Sequence, residues 1–335
     1  MRFLILIMLV GFAMAAVRQT RIHRKTDSLR ERLARNGLNA WQEYRQKKQL
    51  HRERINKSVL VGHPQSVNDY SDTLYVANVT VGTGSIPQVF QWGDDSTDAP
   101  LTVPSTTFGQ ATRIEEIILD VAIDGILGLA FPSLSEQGVT PPFIEAINQG
   151  LVEQPLFTVW LEHEGNGQNV FGGIYTWGGV DTDHCGELAA SASLTTATYF
   201  QFRLQSLSVG SYSSKVGWEV ISDTGTSLLT FPTDLADKIA VTLGGKYDAE
   251  EELYRIACNA QTADLNLNIG GATLPLRTAN LIVPLDDQTC VLGIEAFDTF
   301  GFGPEIILGD PFNRQYCNVY NIGGKSMQFY PSQQM

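Results

Sequence analysis

The stretch Ile221-Ser222-Asp223-Thr224-Gly225-Thr226-Ser227-Leu228-Leu229 carries the clearest chemistry in the chain, and its Asp-Thr-Gly occurs only once. One carboxylate, Asp223, is followed by three short hydroxyls on Thr224, Thr226 and Ser227, which can donate hydrogen bonds around it. Gly225 lets the backbone bend tightly between them. The apolar residues on either side predict a strand that ends in this turn. A carboxylate held in this way is suited to acid–base work. No Cys-x-x-Cys pair or histidine cluster has metal-ligand spacing. His163 and His184 stand alone and read as surface residues. Neither a metal nor a cofactor is expected.

The elements that must position Asp223 read mainly as short β-runs separated by turn signals after Tyr70. Examples are Leu74 to Val81, Leu156 to Leu161, Phe200 to Val209, Val216 to Ile221 and Ile306 to Leu308. Helical patterns are few, Pro142 to Gln149 and Thr233 to Leu243. Strands without regularly alternating helices predict an all-β protein with small helices, not a βαβ sheet. A weak internal repeat is also present. Asp124-Gly125-Ile126-Leu127-Gly128-Leu129 in the first half resembles Ile306-Ile307-Leu308-Gly309-Asp310 in the second. In each, apolar residues precede a glycine that permits close approach of another backbone.

Composition and the chain ends bound the setting. The 335 residues are 43% hydrophobic, enough for a large core or two lobes. Met1-Arg2, the apolar run Phe3 to Phe12 and Ala13-Met14-Ala15 form the three parts of a secretory signal peptide. No later segment is long and apolar enough for a membrane helix, so an exported product with no membrane partner is expected. Residues 17–57 contain 13 Lys or Arg against 4 Asp or Glu, whereas residues 58–335 contain 9 against 32. The basic arm carries a helical pattern in Leu29, Leu33 and Leu38. An exported, acidic body argues against nucleic acid as the arm's partner. A basic prosegment lying across an acidic body fits better, and low pH would loosen it by protonating the carboxylates.

Four cysteines in an exported chain suggest two disulfides, with three possible pairings. Cys258 and Cys290 bracket a stretch of strands and a turn and are expected to pair, with Cys185 and Cys317 as the other bond. Sequons stand at Asn56 and Asn78. Asn56 lies in the segment expected to be removed, so Asn78 is the candidate glycosylation site.

Taken in order along the chain, several segments resemble the pepsin-like aspartic proteases. Arg24-Lys25-Thr26-Asp27-Ser28-Leu29-Arg30 looks like the basic prosegment of those zymogens. Leu74 to Gly82 looks like the first mature strand, and Ile86-Pro87-Gln88-Val89-Phe90 like the loop after it. Asp124 to Pro132, Asp223 to Leu229 and Ile306 to Tyr316 match further family segments. The resemblance implies a bilobal all-β acid-protease fold. It assigns Asp223 as the second-lobe catalytic aspartate, Thr224 to a hydrogen-bonded clasp between the lobes, and Thr226 as a donor to the Asp223 carboxylate. Gly225 and Ser227 complete that loop. A signal peptide at 1–16, a prosegment at 17–69, a first lobe at 70–181 and a second lobe at 182–335 are expected.

One departure from the family is specific. There the Pro-Gln-x-Phe loop runs into a first Asp-Thr-Gly, followed by a long β-region and a flap hairpin carrying a tyrosine. Here Phe90-Gln91 runs into Trp92-Gly93-Asp94-Asp95, and Thr107-Phe108-Gly109-Gln110 already resembles the strand well past the flap. The first lobe is therefore expected to be truncated. Asp94, Asp95 and Asp98 lack the Thr-Gly context and read as a solvated loop, and Tyr75 is not the flap tyrosine. Gly128 would back a loop that is gone.

The family's dyad holds two carboxyls sharing one proton, because like charges so close cannot both ionise. One takes a proton from water while the other gives one to the peptide carbonyl. A lone Asp223 cannot do both in one step. The expectation is an endopeptidase by descent, impaired as it stands, monomeric, acting on peptide or protein and held by its own prosegment, in the secretory pathway with an extracellular or lysosomal end point. The alternatives are a non-catalytic, secreted peptide-binding homologue, a shortened isoform or gene model of an active enzyme, and a homodimer that pairs two Asp223 residues.

Overall fold

A computed structural model describes the strands at 18–24, 75–76, 79–81 and 90–92. It further describes residues 101–104, 106–107, 126–135, 138–162, 171–284, 289–299 and 303–334. The signal-peptide region, the Leu29–Leu38 helical pattern, Asn56, Asn78, Asp94, Asp95, Asp98 and His163 lie outside these residues.

Strands dominate. The ones that matter for the site are β1 (Arg18–Arg24), β2 (Tyr75–Val76), β3 (Leu156–Leu161), β4 (Phe171–Trp177), β5 (Ala190–Thr196), β6 (Gln201–Val209) and β7 (Trp218–Ser222). They continue with β8 (Leu229–Phe231), β9 (Leu265–Ile269), β10 (Ala272–Leu276), β11 (Ile294–Ala296), β12 (Ile306–Leu308), β13 (Tyr316–Asn321) and β14 (Ser326–Pro331). All belong to one 15-stranded sheet whose main path is β11-β8-β12-β7-β6-β5-β14-β13-β3-β4-β1-β2. The architecture is the all-β, bilobal type with small helices.

Residue pattern explains the elements. Along β6, Phe202, Leu204, Leu207 and Val209 are buried. Their alternation slips once between Leu204 and Leu207, where the pairing with β9 also shifts register. In β3 every residue is buried, because the strand lies inside the sheet between β13 and β4 with both faces covered. Helix α1 spans Pro142–Asn148, and α2 spans Thr233–Leu243. In α2, Leu235, Ala236, Ile239, Ala240 and Leu243 recur at helical spacing and are all buried, forming one apolar face. Each of its large side chains contributes about 1.5–3 kcal/mol by burial. The helix starts where Thr233 donates from its backbone N and Oγ1 to Asp298, at 3.1 and 2.7 Å. It stops at Gly244, whose φ of 89° is a left-handed conformation that glycine adopts without strain.

Several sequence expectations are refined. The run Leu74 to Val81 is two short strands, β2 and Val79–Val81. The second pairs with Phe90–Trp92, so the Gln91-Trp92 step falls inside a strand, itself paired with Leu101–Val103. The two copies of the internal repeat differ: Ile306–Leu308 is a strand, whereas residues 126–129 are not. The pairing explains the difference. β12 is hydrogen-bonded on both sides, parallel to β7 and antiparallel to β8, whereas Ile126 is 55% exposed. The arm residues Arg18–Arg24 form β1, antiparallel to β4 from Arg18↔Trp177 to His23↔Phe171. Both disulfides join the expected cysteines: Cys258 with Cys290 and Cys185 with Cys317.

His184 is not an isolated surface residue. Its Nδ1 lies 2.8 Å from Asp181 Oδ2, and its ring stacks 4.4 Å from that of Trp160. Asp181 is buried and also accepts the backbone N–H groups of Asp183 and His184, so the buried carboxylate is satisfied locally.

Candidate active site

β7 and β12 run parallel in the register Val220↔Ile306, Ile221↔Ile307, Ser222↔Leu308. That register brings Asp223, the residue after β7, level with Gly309, the residue after β12. The Asp223–Leu228 turn then crosses over Gly309 and returns as β8 on the far side of β12. A Cβ on Gly309 would lie 2.2 Å from the Thr226 carbonyl oxygen and 2.3 Å from that of Leu228. Only a glycine allows that approach. Two backbone bonds lock the crossing: Asp223 N donates to Leu308 O at 3.1 Å, and Asp310 N donates to Thr226 O at 2.9 Å. Asp310 opens the short helix α3 (Asp310–Gln315), whose residues from Asp310 to Arg314 are buried beneath the turn.

The turn is organised around its carboxylate. Gly225 N donates to Asp223 Oδ1 at 2.9 Å, and Thr226 Oγ1 donates to Asp223 Oδ2 at 2.6 Å. Asp223 is partly exposed and Gly225 is exposed, which leaves the carboxylate reachable from outside. The expected donor role of Thr226 therefore corresponds to a short hydrogen bond. Thr224 turns the other way, and its Oγ1 accepts the Tyr175 hydroxyl at 3.0 Å. Ser227 is half-buried in the same turn.

Behind the turn lies a buried polar cluster that sequence reading did not single out. Ser222 Oγ is 2.9 Å from the Tyr320 hydroxyl, 2.8 Å from Asn313 Oδ1 and 3.1 Å from Asn318 Oδ1. Ser222 has one proton to give and the amide oxygens only accept, so Tyr320 donates to Ser222, which donates onward. Asn313 in turn donates through Nδ2 to the Asp223 carbonyl at 3.0 Å, tying the network to the backbone of the site. Four polar side chains among buried apolar strands were the only sequence signal available, and they are scattered over about 100 positions.

Burial sets the electrostatics of the nearby phenols. Tyr175 is pushed up to about 12, first by burial; the Thr224 hydrogen bond pulls it down, while the Asp310 and Asp223 carboxylates push it up. Burial raises Tyr320 further, against the lowering effect of its Ser222 bond. Both remain neutral hydrogen-bond donors through the acid and neutral range. Among the described residues no group of His, Cys, Asp or Glu could hold a metal ion, and no helix is long and apolar enough to cross a membrane.

The profile of the family described as Eukaryotic aspartyl protease matches residues 63–331. Aspartic protease 6 of Caenorhabditis elegans is 38% identical over 392 aligned positions, covering 100% of both chains. Aspartic protease 2 of Necator americanus is 41% identical over 267 residues, which is 78% of this chain and 62% of the relative. Pepsin A of Sus scrofa is 30% identical over 275 residues, 80% of this chain and 70% of the relative. The chain thus spans the full length of one curated relative and about three fifths of another. A strand-loop-strand crossing built on Gly309 around one Asp-Thr-Gly, together with matches of this extent, places the chain in the pepsin-like eukaryotic aspartyl protease family.

Proposed function

We propose that this chain is an aspartic-type endopeptidase by lineage whose turnover is impaired because one of the two catalytic loops is missing. The observation that carries the reading is that Asp-Thr-Gly occurs once in 335 residues, at Asp223. Two others support it. The alignment with Aspartic protease 6 has 392 positions for 335 residues here, so 392 − 335 = 57 positions have no counterpart in this chain. Gly309 is covered by its loop, whereas a Cβ on Gly128 would meet nothing within 4 Å among the described residues.

Asp223 is the reacting carboxylate in this reading. Gly225 N and Thr226 Oγ1 aim it by donating one hydrogen bond to each carboxylate oxygen. As a base it can take a proton from water attacking a peptide carbonyl, but it cannot simultaneously protonate that carbonyl's oxygen. Losing a positioned acid costs on the order of 10²–10⁴ in rate. The protein is synthesised into the secretory pathway, where its two disulfides form, and ends in the extracellular space or a lysosome. Residues 17–69 act as the prosegment, which fits the pairing of β1 along β4. The mature form is a monomer.

The test is peptidase turnover at acid pH after removal of the prosegment. We expect a rate at least about 10²-fold below a two-loop relative, with all residual activity lost in Asp223→Ala. Turnover equal to that of the relative would overturn the reading. Binding of a statine-type peptide inhibitor without any turnover would instead mark the chain as a peptide-binding homologue. A transcript carrying a second Asp-Thr-Gly between the Gln91 and Trp92 codons would mark it as a shortened form of an active enzyme.

A further inference from the structure

Thr224 is the residue whose family counterpart clasps the opposite loop, and in the reading proposed above that opposite loop is missing. Its Oγ1 is nevertheless occupied. Tyr175, 49 residues earlier on β4, donates its hydroxyl to it at 3.0 Å. The tyrosine has little freedom to do otherwise. Its ring stacks against Trp177 with centroids 5.4 Å apart and lies parallel to Phe157 at 6.5 Å. Phe157 is in turn stacked on Tyr320 at 4.6 Å, so the ring column reaches the network behind Asp223. A hydroxyl fixed by a packed ring loses little conformational freedom when it forms its hydrogen bond.

We propose that Tyr175 is a positioning residue for Asp223: through Thr224 it grips the Asp-Thr-Gly turn from the first-lobe side, in place of the second loop. The assignment of Asp223 as the reacting group and the absence of the second loop rest on the function proposed above, whereas the Tyr175–Thr224 contact does not. Asn313 holds the Asp223 carbonyl from within the second lobe, so Tyr175 supplies the opposing hold. A phenol is neutral at acid pH, and burial pushes this one up further, so the grip persists where an aspartic peptidase works.

The test uses the full chain and needs no activity. Amide hydrogen exchange and the proton shift of Gly225, whose N–H donates to Asp223 Oδ1, are compared in Tyr175→Phe, Thr224→Val, the double variant and Thr224→Ser. Leu267, in the β9–β10 hairpin, is the control amide. Tyr175→Phe keeps the ring packing and removes only the oxygen. We expect Gly225 exchange to rise about 3- to 10-fold in Tyr175→Phe, the range for loss of one neutral buried hydrogen bond. Thr224→Val and the double variant should show the same rise with no further increase, since one bond is broken in all three. The Gly225 proton should move upfield with them, Thr224→Ser should match the parent, and Leu267 should not change. Unchanged Gly225 exchange in Tyr175→Phe, multiplying effects in the double variant, or a Leu267 amide accelerated as much as Gly225 would overturn the proposal. None of these outcomes depends on whether the chain cleaves peptides, so the two readings fail separately.

Discussion

Replacing Gly309 with alanine tests whether the crossing beneath Asp223 is as tight as its geometry states. The new methyl would sit 2.2 Å from the Thr226 carbonyl oxygen and 2.3 Å from that of Leu228, where ordinary contact begins near 3.4 Å. Each carbonyl would have to retreat by about 1 Å, and both are backbone atoms that cannot swing aside as a side chain would. The Thr226 carbonyl also accepts the Asp310 N–H, so its retreat stretches a buried hydrogen bond. Overpacking of this kind costs about 1–3 kcal/mol, and the rigidity of both neighbours puts Gly309→Ala at the upper end. For a body of this size that lowers the melting temperature by about 4–6 °C. Gly128→Ala is the matched control, because nothing among the described residues lies within 4 Å of its added Cβ. It should shift stability by no more than about 0.5 kcal/mol. Thermal unfolding of the two variants beside the parent reads both. Gly309→Ala melting within about 2 °C of the parent would refute the steric argument. Gly128→Ala falling as far as Gly309→Ala would show that a loop does pack on Gly128, and would count against the truncated first lobe.

Two further expectations concern stability. The Cys258–Cys290 bond spans 32 residues and Cys185–Cys317 spans 132. Paired serine replacements should therefore cost about 3–4 and about 5 kcal/mol respectively in denaturant titrations, and the reverse order would contradict the loop-closure account. Partial burial pushes the Glu219 carboxyl up, but hydrogen bonds from Thr195, Gln201 and Arg203 together hold it below the usual carboxylate range. A carboxyl held low adds stability above its unfolded pKa and loses it as pH falls through the folded value. Glu219→Gln should thus lower stability near neutrality, by about 1 kcal/mol or less given the exposed Arg203 partner. The difference should vanish in acid, and a penalty that persists there would contradict the assignment.

The features legible in the sequence are those whose cause is local. Thr233 to Leu243 reads as a helix because its apolar residues recur at helical spacing before a glycine that ends it. The Asp223 turn is legible because a strand, a glycine and a cluster of hydroxyls lie within a few residues of one another, and its bonds from Gly225 and Thr226 span two and three residues. Ile306 to Gly309 was visible as an apolar pair before a glycine, although only the parallel register with β7 shows why alanine will not fit there. The first copy of that pattern carried the same signal and formed no strand, because a strand needs partners and the pattern alone does not supply them.

The residues that back the turn from behind are set by segments far away in the chain. Tyr175 meets Thr224 across 49 positions, and Ser222 meets Asn313, Asn318 and Tyr320 across 91, 96 and 98. These pairs join residues on β4, at the end of β7 and in the turn after it, on α3 and on β13, segments that meet only because strands far apart in the chain pair into one sheet. A tyrosine in a run such as Ile174-Tyr175-Thr176-Trp177 looks like any strand aromatic until folding brings its hydroxyl within 3.0 Å of Thr224. The chain therefore marks its candidate carboxylate, and the two groups that aim it, within nine consecutive residues, while the groups that back the turn are assembled only when hydrogen bonding between distant strands forms the sheet around them.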